Sequence, residues 1–126
     1  MITGYIRADE ASVRLVLVGP DRELEIAAII DTGFRGTLVL PSDLMSEFGQ
    51  DIEYSESILA DGSHVEHQSM YVEFYFPGDI NYPFRERAIE LGHEPLIGMR
   101  LLEGFRLSMD IIEGGSVTIE PLDRMD

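Results

Sequence analysis

The sequence predicts an all-β domain, a barrel or a sandwich that carries one or two short helices. Apolar and polar residues alternate with period two along most of the chain, and turn-forming residues separate the alternating segments at short intervals. Only two segments carry helix start or stop signals. The 126 residues, 44% of them hydrophobic, suit one domain over residues 1–126 with a core of its own.

Three strands are predicted in the first thirty residues. TGYIRA and SVRLVLVG alternate, and ELEIAAII follows a turn of sequence GPDR, where proline fixes one backbone dihedral and its neighbours tolerate others. The third segment becomes fully apolar at its end, which is typical of a strand buried on both faces. We therefore expect this strand to run through the core and to end at Asp31.

A short strand and a short helix follow. TLVL at 37–40 predicts the strand, and SDLMSEFG predicts the helix. Pro41 suits the first turn of a helix, and Gly49 is a good stop signal.

A long hairpin is predicted next. Its strands cover 53–59 and 65–76, and Asp61-Gly62 forms the turn because both positions tolerate positive φ. Along the second strand one face is predicted to be apolar and the other to carry Glu73 and two tyrosine rings. The apolar face comprises Met70, Val72, Phe74 and Phe76.

The rest of the chain predicts short elements. In order they are a loop at 77–83, a strand at 87–91, a strand at 95–98, one or two helical turns before Gly104, and a hairpin of 105–112 and 116–120 around Glu113-Gly114-Gly115.

The charge is strongly acidic. There are 24 acidic residues against 9 basic ones, all arginine, and the formal net charge is −15. Such a surface repels phosphate backbones, which argues against nucleic-acid binding. A solvated surface is the simplest explanation; a preference for basic substrates or partners, or adaptation to salt, stays open.

Several other classes are disfavoured. No apolar run approaches the ~18 residues of a membrane helix, and the N-terminus lacks a basic-then-apolar signal pattern, so we expect a cytoplasmic protein without membrane contact. The absence of cysteine excludes a disulfide framework, a thiolate metal site and a cysteine nucleophile. The three histidines do not form a metal-binding pattern, and we expect no metal and no cofactor.

The apolar strand that runs into Asp31-Thr32-Gly33 resembles the active-site strand of retropepsin-like aspartic proteases, most closely the small prokaryotic members. As in that family, a short strand, a Pro-led helix and a hairpin at the position of the flap follow. PLIGMRLLEG then resembles the hydrophobic-hydrophobic-Gly segment and short helix that close each lobe. The similarity covers about residues 5–121.

The resemblance implies an aspartic endopeptidase whose catalytic residues are Asp31, Thr32 and Gly33. Two neighbouring carboxylates share a proton, so that one acts as base on a water while the other acts as acid on the scissile carbonyl. Gly33 lets the backbone turn sharply, and the Thr32 hydroxyl bonds across to the partner loop. Because the chain contains a single Asp-Thr-Gly, the resemblance implies a homodimer, to which the terminal strands near 1–6 and 116–120 contribute.

The resemblance also implies a groove for a peptide or protein substrate. The residues expected to bind substrate follow the motif or lie at the hairpin turn: Phe34, Arg35, Ala60, Asp61, Gly62 and Ser63. Phe34 departs from the small residue usual in retroviral members. Arg35 either favours the ionised carboxylates, faces solvent or pairs with an acid.

Three alternatives remain open on the sequence. The first is structural: Asp31 is a turn acid that accepts hydrogen bonds from local backbone N–H groups, and residues 59–64 form an ordinary hairpin turn. A non-catalytic peptide-binding or scaffold protein on the same fold is the second alternative, because a monomer supplies only one carboxylate. An acidic interaction protein without a groove is the third.

Overall fold

Ten strands and two short helices occur in residues 1–78 and 84–123, which are the residues that the computed structural model of the protein describes. The strands are β1 (Ile2–Arg7), β2 (Glu10–Val18), β3 (Glu23–Ile30), β4 (Leu38–Leu40), β5 (Gln50–Ile58), β6 (His64–Tyr75), β7 (Phe84–Glu90), β8 (Leu96–Ile97), β9 (Phe105–Met109) and β10 (Ser116–Pro121). The helices are α1 (Ser42–Phe48) and α2 (Met99–Leu102).

The ten strands form one sheet that closes on itself. Their order is β5-β6-β7-β4-β8-β3-β2-β1-β10-β9, and β6 pairs additionally with β2 in antiparallel register, Leu17 opposite Phe74. This extra pairing closes a six-stranded barrel of β6, β7, β4, β8, β3 and β2. The predicted all-β barrel with two short helices is confirmed.

The barrel interior is filled by alternate residues of its strands. Leu15 and Leu17 of β2 and Phe74 of β6 are fully buried, and the Phe74 ring stacks on Phe84 with centroids 5.4 Å apart. The predicted apolar face of the second hairpin strand is confirmed, since its members are all buried: Met70, Val72, Phe74 and Phe76. This alternation decides which side chains of each strand remain for the surface.

Local signals explain most element ends. The Gly19 N–H donates to the Arg22 carbonyl at 2.9 Å, which closes the turn between β2 and β3. At the end of α1 the Gly49 N–H donates to the Met45 carbonyl at 2.8 Å. The turn and the helix stop were both predicted.

One local prediction was wrong, and one turn differs in detail. The end of β3 is not buried on both faces: Ala28 and Ile30 are buried, but Ala27 is exposed, because the protomer covers only one side of the strand there. The long hairpin turns at Asp61-Gly62 as predicted; within this turn Gly62 has positive φ (87°), whereas Asp61 does not. The loop has three residues and ends in a glycine bulge, since Leu59 pairs with Ser63.

The terminal strands are paired within the protomer. β1 lies between β2 and β10, and β10 lies between β1 and β9. Strand addition from a second protomer at β1 or β10 would have to break these pairings. A contribution of these two strands to a dimer interface would therefore come from their side chains, and it stays a prediction.

The chain between β6 and β7 differs from the prediction in its bounds. The loop predicted at 77–83 lies outside the described residues from 79 to 83, and the strand predicted at 87–91 begins earlier, at Phe84. None of the described helices has the length and the apolar character needed to cross a membrane.

Replacement of Leu17 by alanine tests the barrel core. The side chain is fully buried at the β2–β6 closure, so we expect Leu17→Ala to lower the free energy of unfolding by about 2–5 kcal/mol. Ile58→Ala is the control, because this side chain is 70% exposed and should change stability by less than about 0.5 kcal/mol. Urea unfolding measures both; equal losses would contradict the described core.

Candidate active site

The loop of residues 31–37, named here the Asp31 loop, lies against the end of β8, a strand that is distant in sequence. β8 lies between β3 and β4, parallel to β3 and antiparallel to β4. Ile30 is aligned with Ile97, so the residue after β3, Asp31, emerges beside Gly98. The sequence places these two segments more than sixty residues apart, and the sheet brings them together.

Backbone hydrogen bonds tie the Asp31 loop to residues 97–100 along its whole length. The four bonds run from the Asp31 N–H to the Ile97 carbonyl (2.9 Å), from Gly98 to Thr37 (2.9 Å), from Met99 to Phe34 (2.8 Å) and from Arg100 to Gly36 (3.1 Å). Because both ends and the middle of the loop are held, its conformation is set by the barrel.

The Asp31 carboxylate is half-buried and oriented by the motif itself. Its Oδ1 accepts the Gly33 N–H at 2.9 Å, and the Asp31 carbonyl accepts the Phe34 N–H at 3.1 Å. Its Oδ2 makes no hydrogen bond with any other residue that the structure describes. A structural turn acid would make the same Oδ1 bond; the free oxygen is what leaves room for chemistry.

The Phe34 ring packs on Gly36 of the Asp31 loop and on Gly98 beside it. A Cβ on Gly98 would lie 2.2 Å from the Gly36 carbonyl oxygen and 2.5 Å from the Phe34 ring, and a Cβ on Gly36 would lie 2.4 Å from the same ring. The glycines are therefore required for close approach of backbone and ring. The structure gives Phe34 a packing role that the sequence did not suggest; its predicted role in substrate binding stays a prediction.

Thr32 and Arg35 are exposed, as is Gly33. Within residues 1–78 and 84–123, no hydrogen bond engages the Thr32 hydroxyl and no ion pair engages Arg35. Of the open alternatives for Arg35, pairing with an acid is thus not observed, and its side chain faces solvent along a cleft.

This cleft is shallow and open to solvent, has a volume of about 480 Å³ and lies beside the Asp31 loop. Besides Arg35 it is lined by α2 and by the residues that lead into β9: Met99, Arg100, Leu102, Glu103, Gly104 and Phe105. Sequence reasoning missed Arg100 as a site residue. The signal was the position of this residue directly after the Leu-Ile-Gly segment, but only the parallel β3–β8 pairing shows which loop that segment meets.

The predicted hairpin turn is fully exposed. Ala60, Asp61, Gly62 and Ser63, named here the hairpin tip, extend beyond the paired ends of β5 and β6. The Ser63 hydroxyl donates to Asp61 Oδ1 at 2.6 Å and the Ser63 N–H donates to the same atom at 2.9 Å. These bonds, the hydroxyl first, lower the pKa of the Asp61 carboxyl. No described hydrogen bond or ion pair joins the tip to the Asp31 loop.

The hairpin also exposes apolar side chains, which sequence reasoning did not single out. Ile52, Tyr54 and Ile58 of β5 are 59%, 66% and 70% exposed, and Leu59 follows at the turn. Between Tyr54 and Ile58 on the same strand, Glu56 is aligned with Glu66 of β6, and His64 contacts Glu56. In the described part of the chain no three histidine, aspartate or glutamate side chains are grouped so as to hold a metal ion.

Gly98→Ala tests the close contact behind the site. The added Cβ overlaps the Gly36 carbonyl oxygen and the Phe34 ring, so we expect a loss of about 3 kcal/mol, at the upper end of overpacking costs. Gly92→Ala is the matched control: it has φ of 65° but open space around its Cβ position, so only a backbone cost of about 1–2 kcal/mol applies. Similar losses in chemical denaturation would contradict the contact.

Ser63→Ala tests the hairpin tip. Loss of the hydroxyl should raise the pKa of Asp61 toward its ordinary value, as followed by carbon NMR of the Asp61 carboxyl. Because the pKa of Asp61 is lowered in the folded state, this bond stabilises the tip fully at pH values above the unfolded-state pKa of about 4. The stabilisation is lost as the pH falls through the folded-state pKa. Ser46→Ala, on the exposed side of α1, should leave the titration unchanged.

Comparisons of the chain with protein-family models, with curated proteins and with solved structures find no match. The similarity to retropepsin-like proteases therefore rests on the motif and on the order of the elements.

Proposed function

We propose that the protein is a retropepsin-like aspartic endopeptidase that acts as a homodimer, each protomer supplying one Asp31 carboxylate. The observation that carries the proposal is the Asp31 loop. A half-buried carboxylate leaves the end of a barrel strand with one oxygen held by Gly33 and the other free. The loop is fixed by four backbone hydrogen bonds, which is the rigidity that positioned acid–base chemistry needs.

The order of elements supports the same proposal. The Asp-Thr-Gly motif follows an apolar strand, and β4, α1, the β5–β6 hairpin, β8 and α2 come after it in the order expected from the resemblance. The Leu-Ile-Gly segment lies directly behind the motif. Chance occurrence of the tripeptide alone does not account for this arrangement.

In the proposed reaction the two Asp31 carboxylates share one proton. The ionised carboxylate removes a proton from a water molecule while the protonated one donates to the scissile carbonyl, so that a C–O bond forms and a tetrahedral diol results. A proton then passes from the pair to the leaving amine as the C–N bond breaks. The shared proton belongs to the pair, and neither residue has a separate assignment.

The substrate in this proposal is an extended peptide. It lies between the Asp31 pair and the hairpin tips, held by strand-like hydrogen bonds. The exposed Tyr54 and Ile58 give the hairpin apolar surface for substrate side chains. The same surface also supports the second candidate, a non-catalytic peptide-binding protein, because such contacts do not require the bond to be cut.

Asp31→Asn tests the catalytic proposal. The amide oxygen can still accept the Gly33 N–H, so the fold and the dimer should persist, whereas hydrolysis of a peptide library should fall by at least about 10³-fold. Asp21→Asn, in the exposed turn between β2 and β3, is the matched control and should retain full activity. Wild-type rates in the Asp31 variant, purified identically, would refute the mechanism.

Mixed dimers test whether the site is shared. When wild-type and Asp31→Asn chains are unfolded together and refolded in equal amounts, a site built from both protomers leaves about a quarter of the dimers active. A site complete within each protomer leaves about half of the activity. Analytical ultracentrifugation of the same samples establishes the dimer, and a strict monomer that binds peptides without cleaving them would favour the second candidate.

A further inference from the structure

We propose that the cleft beside the Asp31 loop binds a carboxylate of the substrate through Arg35 and Arg100, so that the enzyme prefers peptides with an acidic group at one fixed distance from the cleaved bond. This inference rests on the proposed peptidase function, which it extends by naming a substrate class. The carboxylate belongs either to an aspartate or glutamate side chain or to the peptide's C-terminus.

The other arginines in the described part of the chain have partners. Among the described residues, Arg7 stacks over the Tyr5 ring at 5.1 Å, and the arginines paired with carboxylates are Arg14, Arg22, Arg85, Arg87 and Arg106. Arg35 and Arg100 have neither kind of partner in this part of the chain, and both line the same cleft.

Two unpaired guanidinium groups in one cleft are unexpected in so acidic a chain. With 24 carboxylates against 9 arginines, most exposed arginines find an acidic neighbour. Exposed ion pairs contribute little to folding, so the stability of the fold does not explain why Arg35 and Arg100 are unpaired. Their free N–H groups are instead suited to a ligand, because the planar guanidinium matches a carboxylate with two parallel hydrogen bonds.

Backbone hydrogen bonds fix the main chain of both arginines, Arg35 within the Asp31 loop and Arg100 next to it. The Arg100 N–H donates to the Gly36 carbonyl, and Arg35 lies between Phe34 and Gly36, whose carbonyls are both bonded to the segment after β8. The Cα atoms of both arginines therefore belong to one unit, the Asp31 loop bonded to residues 97–100, and this unit also carries Asp31. A group bound between them is held at a set distance from the reacting bond.

The remaining wall of the cleft modulates this preference. Met99, Leu102 and Phe105 supply apolar surface for the stem of a side chain. Glu103 also faces the cleft and pairs with neither arginine, so it reduces the attraction for an anion. Glu103→Gln should accordingly strengthen the preference for an acidic group.

The net charge of the protein makes the test selective. A chain of net charge −15 repels acidic peptides at long range, so any preference for them must come from a local site and must depend on position. Matched peptides carrying glutamate or glutamine at each position around the cleaved bond, with free or amidated C-termini, separate the side-chain source from the terminal one.

We expect glutamate to raise kcat/KM by about ten-fold over glutamine at one position, and the advantage to shrink with added salt. Arg35→Gln and Arg100→Gln should each remove most of this advantage. Arg14→Gln is the matched control: Arg14 lies on β2, is paired with Glu25, and should leave the glutamate-to-glutamine ratio unchanged. An effect confined to the free C-terminus would assign the cleft to the terminal carboxylate.

Binding to the Asp31→Asn variant, measured by fluorescence anisotropy with the same peptides, gives a readout independent of cleavage. Cleavage at equal rates for glutamate and glutamine at every position would overturn this inference and leave the peptidase proposal standing. If no peptide is cleaved, the peptidase proposal fails, and the anisotropy ratio decides the cleft: a glutamate preference lost in Arg35→Gln and Arg100→Gln supports it, and equal binding overturns it.

Discussion

The parallel pairing of β3 with β8 is the constraint on which the candidate site depends. It aligns Ile30 with Ile97, places Asp31 beside Gly98, and brings the Gly36 carbonyl so close to Gly98 that no side chain fits between them. Neither segment defines the site by itself, because β8 has only two residues and the Asp31 loop has no regular secondary structure. The site therefore forms with the barrel and cannot form before it, since the contact joins segments distant in sequence.

Strand positions could be predicted from the sequence because their signals are local. Alternation gave the buried face of β6, and Pro41 and Gly49 bounded α1, since each depends on the conformational limits of a few neighbouring residues. The exposure of Ala27 could not be predicted, because burial at the end of β3 depends on which elements cover it. The closure of β6 onto β2 likewise depends on the whole sheet.

In the candidate site, too, some features follow from local sequence and others from tertiary structure. The carboxylate, its hydrogen bond from Gly33 and the exposed hairpin tip follow from short motifs whose geometry is local. The position of the Phe34 ring over two glycines and the presence of Arg35 and Arg100 in one cleft do not, because they need the spatial relation of the Asp31 loop to α2. A motif thus identifies the candidate reactive group, and the surroundings proposed to set its specificity come from tertiary structure.

Charge links the cleft to the proposed dimer. Two chains of net charge −15 repel each other, and a shared proton between two Asp31 carboxylates would require the closest approach of two acidic groups. The edges of β1 and β10 are occupied, so sheet pairing at the termini does not offset this cost. Arg35 and Arg100 supply unpaired positive charge on the rigid unit that carries Asp31. In the proposed dimer, the same two side chains that would select an acidic substrate would also lower the electrostatic cost of bringing two Asp31 loops together.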